Sequence, residues 1–129
     1  MTTELTLLAF SVVLGFAHII LASHAASLQR GYWWTASARD AAKPMLTGVA
    51  GRLERAARNF LETFSFFAAA VLTAHAAGRH NWMTIWGAHL YVGARLVYLP
   101  LYAFGIPLVR SLVWNVATIG IVLILLALL

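Results

Sequence analysis

The chain has 129 residues, of which 62% are hydrophobic and 10% charged, with a mean hydropathy of +0.83. A soluble domain of this size carries about 25% charged residues, so the composition excludes one and leaves room for about four membrane spans of roughly 20 residues. The absence of cysteine excludes disulfides, thiolate metal sites and a cysteine nucleophile. The net charge of +5 sits on residues that flank or enter apolar segments, which points to topology signals and anionic ligands and away from nucleic acid.

Met1 to Glu4 lacks the basic residues that open a cleaved signal peptide, so the first apolar segment, residues 5–28, reads as a retained span. It runs into Gln29-Arg30-Gly31-Tyr32-Trp33-Trp34, a basic and aromatic cluster suited to a membrane interface. Residues 35–51 contain Pro44, Gly48 and Gly51 among polar side chains and read as the one long loop. Further spans are predicted over residues 52–77, 83–104 and 107–128. Gly78-Arg79-His80-Asn81 and Gly105-Ile106-Pro107 form short turns, and proline suits the first turn of the next helix. Trp82 and Trp86 are further interface anchors. The predicted fold class is all-α, an integral membrane four-helix bundle made of one domain, residues 1–129.

Four antiparallel spans put Arg30, Arg39, Lys43, Arg52, Arg55, Arg58, Arg95 and Arg110 at one face and leave Arg79 alone at the other. By the positive-inside rule the crowded face is cytoplasmic, and both termini are non-cytoplasmic.

Helical phase groups the polar residues further. Arg52, Arg55, Asn59 and Glu62 share a stripe on the second span; Tyr91, Arg95, Tyr98 and Tyr102 share one on the third. Arg110 falls in the first turn of the fourth, with Trp114 a turn deeper. One reading is purely structural: Glu62 pairs with Arg58 or Arg55 and ties helices together. The other follows from the excess of arginine over Glu62. Guanidinium forks bind carboxylates and phosphates at two points, and Glu62 could meet an ammonium group. A small zwitterion with extra carboxylates fits such a site, and so does a lipid headgroup.

Arg55-Ala56-Ala57-Arg58-Asn59-Phe60-Leu61-Glu62 resembles the R-A-x-x-N-x-x-E signature of the MAPEG family, membrane-associated proteins in eicosanoid and glutathione metabolism. Gly93 to Tyr102 is similar to the family's third helix, with an arginine and a tyrosine seven residues later, and Ile106 to Ser111 to the start of its fourth. The resemblance implies a homotrimer that binds glutathione between neighbouring subunits near the cytoplasmic face. It carries Arg55, Asn59, Glu62, Arg95 and Tyr102 over as glutathione contacts. Arg110 corresponds to the arginine that stabilises the thiolate, and Ser111 to a neighbouring catalytic position. Arg30 lies near a first-helix arginine of some members, and Ala57 departs from relatives with His or Gln there. Arg52 and Tyr98, on the same stripes, complete the candidate set.

The chemistry is coherent in physical terms. A free thiol has a pKa of about 8.5, and a fixed guanidinium in a low-dielectric site favours its thiolate; the helix N-terminus at Arg110 adds positive potential. Such a thiolate attacks electrophiles or reduces hydroperoxides dissolved in the bilayer. His18 and His24 point to different sides of the first span. His75, His80 and His89 could converge at the opposite turn, but no H-x-x-x-H pattern or carboxylate partner supports a metal site. Gly15, Ala68, Ala69, Gly87 and Gly93 permit close helix packing.

The function expected is glutathione transfer or peroxide reduction on hydrophobic or lipid substrates, in a multi-pass protein of a bacterial inner membrane. The alternative is a non-catalytic lipid-binding or accessory subunit.

Overall fold

The computed structural model describes residues 1–40 and 43–129; Ala41 and Ala42, in the predicted long loop, lie outside them. The described residues form five helices and no strand: α1 (Thr3–Arg30), α2 (Tyr32–Ala36), α3 (Gly48–Ala76), α4 (Trp82–Ala103) and α5 (Pro107–Leu126). α1 begins where the Thr2 hydroxyl accepts from the Leu5 amide, and stops at Gly31, whose φ of 95° only glycine adopts readily. The chain then turns directly into α2, a short helix where the aromatic cluster and loop were predicted. Side-chain hydrogen bonds hold it to α1: the Ser27 and Thr35 hydroxyls meet at 2.9 Å, and the Tyr32 hydroxyl meets His24 Nδ1 at 3.0 Å.

The long connection returns to α1 as well. The Gln29 amide pairs with both backbone groups of Thr47, and Arg30 Nε donates to the Pro44 carbonyl at 2.8 Å. With Thr47 fixed in extended conformation as its N-cap, α3 starts at Gly48, a turn before the predicted Arg52. Asn81 opens α4 with a capping box shared with Thr84. Gly105, at φ 73°, and Pro107 make the tight turn into α5.

α1 packs on α3 and α4, and α5 packs on α4 and α3. Backbone approach is closest between α4 and α5. There a Cβ added to Gly87 would lie 2.5 Å from the Gly120 carbonyl, and one added to Gly120 would lie 2.5 Å from that of Gly87. Only hydrogen fits between these backbones, the small-residue contact that lets helices associate without a hydrophobic drive. Gly15 gives Phe60 similar room, whereas Gly93 faces open space and makes no such contact. Phe60 and Phe67 are buried among helices and Phe66 is exposed; Phe67 stacks on Tyr91 at a centroid distance of 4.0 Å.

Two helices, α1 and α5, are long and apolar enough to cross a membrane. α3 has the length, at 29 residues or about 43 Å, but carries Arg52, Glu54, Arg55, Arg58 and Glu62 in its first half. Val13, Phe16, Ile20, Leu112 and Ile119 lie exposed on the outside, where lipid suits them better than water.

Candidate functional site

The C-terminal ends of α1 and α4 and the N-terminal ends of α3 and α5 meet at one end of the molecule. A cavity of about 470 Å³ opens there between α3, α4 and α5, lined by Arg55, Arg58, Asn59, Glu62, Tyr98, Tyr102, Arg110, Ser111, Trp114 and Asn115. The volume is that of a small-molecule pocket.

Arg55, Asn59 and Glu62 recur at three- and four-residue steps, so one face of α3 presents all three to the cavity. Glu62 makes no ion pair among the described residues, contrary to the reading that binds it to Arg55 or Arg58. Three guanidinium groups therefore face one free carboxylate. Across the cavity the Arg110 guanidinium lies 4.7 Å from the centre of the Tyr102 ring, and Tyr98 packs against Tyr102. A ring face holds the cation without consuming its N–H donors. Ser111 spends its hydroxyl on the Pro107 carbonyl at 3.4 Å, and Asn115 donates to the Ser111 carbonyl at 2.9 Å. Trp114 Nε1 is buried with no hydrogen-bond partner among the described residues.

Two predicted site residues stand elsewhere. Arg95 is fully buried behind the cavity wall. Its Nη1 donates to Asn59 Oδ1 at 2.8 Å; its Nη2 donates to the Asn59 carbonyl at 3.2 Å and to the Thr63 hydroxyl. Thr63 in turn meets the Tyr91 hydroxyl at 3.1 Å. Arg95 thus orients Asn59 and does not line the cavity. Arg52 turns to the end of α4, where its Nε donates to the Ala103 carbonyl at 2.8 Å and satisfies one of the helix's free carbonyls.

Arg58, Trp114 and Asn115 line the cavity without having been assigned to it from the sequence. Arg58 lies one helical step from Arg55, so its spacing carried the signal; Asn115 had none. Ala57 faces the other way, into a second cavity between α1, α2 and α3 that also holds Arg30. At the opposite end His75 and His80 approach each other, while His89 bonds its own helix at the Ile85 carbonyl. No group of three or more His, Asp or Glu side chains able to hold a metal occurs among the described residues. Glu4, unremarked in the sequence, is buried there and accepts from the Thr84 hydroxyl at 2.6 Å, with His80 Nδ1 at 3.5 Å.

The described residues form only helices, two of them long and apolar enough to cross a membrane, with an arginine-rich cavity at one end. The chain belongs to the MAPEG family, whose model matches residues 7–129. No curated protein and no solved structure matches it significantly.

Proposed function

We propose that the protein binds glutathione in the cavity between α3, α4 and α5 and uses its thiol in transfer to hydrophobic electrophiles or reduction of lipid hydroperoxides. The observation that carries this reading is the donor set: Arg55, Arg58 and Arg110 facing the single carboxylate of Glu62. Glutathione has two carboxylates, one ammonium group and one thiol. Two guanidinium forks match the carboxylates, Glu62 matches the ammonium group, and a third guanidinium remains for the sulfur. Asn59 and the unpartnered Trp114 Nε1 add neutral contacts.

Arg110 occupies the first turn of α5, so its charge and the helix N-terminus act on the same point. Held on the Tyr102 ring, it favours a thiolate at neutral pH without giving up a proton. Exclusion of water by the surrounding lipid and helices strengthens that field. Glutathione supplies the nucleophilic sulfur, and the chain supplies binding, orientation and charge.

The cavity faces outward from a single chain, with Arg55, Arg58 and Glu62 exposed. Charged groups at membrane depth need a protein wall. A homotrimer whose neighbours close each cavity meets that need, and MAPEG membership favours it. The excess of basic residues at this end favours a cytoplasmic site in a multi-pass inner-membrane protein with both termini outside.

The test is glutathione binding to detergent-purified protein, with thiolate absorbance read on the same preparation. Arg110→Ala should retain binding while the bound thiol's pKa returns toward its solution value and turnover falls with it; one pKa unit is about 1.4 kcal/mol. Binding without thiolate formation, unchanged in Arg110→Ala, would favour the non-catalytic lipid-binding or accessory subunit. Native mass spectrometry should show a trimer, and a glutathione-binding monomer would refute that assembly.

A further inference from the structure

The turn that ends α4 satisfies most of its carbonyls from within. The Phe104 amide donates to the Pro100 carbonyl at 3.0 Å, the Gly105 amide to Tyr102 at 3.0 Å and the Ile106 amide to Leu101 at 3.1 Å. With Gly105 at φ 73°, the last two bonds make a Schellman turn. The Ala103 carbonyl finds no backbone donor among the described residues. Arg52 Nε reaches it from α3 at 2.8 Å, across 51 positions of sequence. The Arg52 stem also lies along Gly105, where a Cβ would meet its Cδ at 3.6 Å and its Nε at 3.7 Å. One guanidinium thus clamps residues 103–105, with its charge suited to the negative end of α4.

The same turn carries Arg110. α5 starts at Pro107, and its first half has little else to hold it. No residue of α5 before Ala117 is buried within the chain. Among the described residues no hydrogen bond joins α5 to another helix; its side-chain bonds all return to its own carbonyls. Its close packing on α4 is at Gly120, about 15 Å along the helix from Arg110. The Tyr102 ring that faces the Arg110 guanidinium at 4.7 Å stands next to Ala103. Both partners of that contact therefore flank the segment that Arg52 clamps.

We infer that Arg52 is a positioning residue for Arg110: it fixes the α4–α5 turn and so sets the Arg110 guanidinium at the cavity, without touching the ligand. The inference rests on the glutathione site proposed above. Arg52 does not line that cavity, whereas Arg55 and Glu62 do and are rooted in α3 itself. Their hold on a ligand does not depend on the turn. The action of Arg110 on a sulfur does, because a charge stabilises a thiolate only from a fixed distance and direction. Arg52 therefore governs thiolate formation more than affinity.

The experiment combines amide hydrogen exchange with glutathione titration on full-length protein in detergent. Arg52→Ala should speed exchange of the Phe104, Gly105 and Ile106 amides about tenfold, while amides from Ala117 to Leu126 keep their rates. It should raise the bound thiol's pKa by about one, a tenfold loss of thiolate, with the glutathione dissociation constant within about twofold of wild type. Arg52→Lys keeps a cationic donor and should stay within about threefold of wild type in exchange and thiolate. In an Arg110→Ala background, Arg52→Ala should move the thiol's pKa no further. Unchanged exchange at the turn overturns the inference. A weaker dissociation constant at unchanged thiol pKa also overturns it, because Arg52 would then be a ligand contact. An equal pKa rise in the Arg110→Ala background overturns it too, because Arg52 would then act on the sulfur by itself. If Arg52→Ala does not fold, Arg52→Gln takes its place with the same expectations. A wild type that binds no glutathione sinks the glutathione reading, and the exchange rates still decide on the clamp.

Discussion

The guanidinium of Arg95 on α4 holds Asn59 on α3 at two points, its side-chain oxygen at 2.8 Å and its backbone carbonyl at 3.2 Å. Arg95 is fully buried and Asn59 faces the cavity, so the pair carries the rigidity of the bundle to the site wall. Lysine keeps the charge but not the fork. Arg95→Lys is expected to raise the glutathione dissociation constant about tenfold, the worth of one charge-assisted hydrogen bond. Asn59→Ala should do the same, and the double variant little more, because both act through one contact. Additive losses in a binding double-mutant cycle would show that the two residues act separately.

Glycine at position 87 is required by the α4–α5 approach. Gly87→Ala places a methyl 2.5 Å from the Gly120 carbonyl and 2.7 Å from the Ile124 side chain. Separating the helices should cost about 1–3 kcal/mol, read as a lower thermal unfolding midpoint in detergent. Gly93→Ala meets open space and should hold or slightly raise the midpoint, since alanine favours helix.

Thr84 ties two distant parts of the chain through a buried carboxylate. Thr84→Val removes the hydroxyl donor to Glu4 and half of the Asn81 capping box, and should destabilise by about 1–3 kcal/mol. Thr84→Ser keeps both bonds and should fall by less than half as much. His80→Ala should matter less than Thr84→Val, because the Glu4 contact is 3.5 Å long and partly exposed. Chemical denaturation of the variants checks the order.

Membrane orientation is directly measurable because the chain has no cysteine. Single cysteines at Ser37 and Leu129 should label from opposite sides, Ser37→Cys from the cytoplasm and Leu129→Cys from outside. A cytoplasmic Leu129→Cys would reverse the orientation and remove the cavity from the cytosolic glutathione pool.

Much of the candidate site was legible because helical periodicity is a local property. Arg55, Asn59 and Glu62 follow three- and four-residue spacing, and any helix through them places them on one face. The same reasoning failed for Arg52, which shares the stripe but lies a turn nearer the helix start. There the carbonyls ending α4 compete for its donors, and Ala103 takes one. It also failed for α2, because the turn that makes Tyr32–Ala36 helical depends on hydroxyl contacts back to α1 and not on a periodic apolar face.

What the sequence by itself determined is the material of the membrane protein: apolar segments of spanning length, the gathering of basic residues at one end, and the phase of polar residues along each helix. These depend on hydropathy and on a repeat of about 3.6 residues, and neither needs a neighbour. The tertiary structure decided which phase faces which helix. It buried Arg95 against Asn59, turned Ala57 away from the site Arg58 lines, and brought Glu4 to Thr84 across 80 positions of sequence. The rotation and register of one helix on another come from non-local packing such as Gly87 on Gly120. A one-dimensional pattern records that small residues are present but not which of them meet.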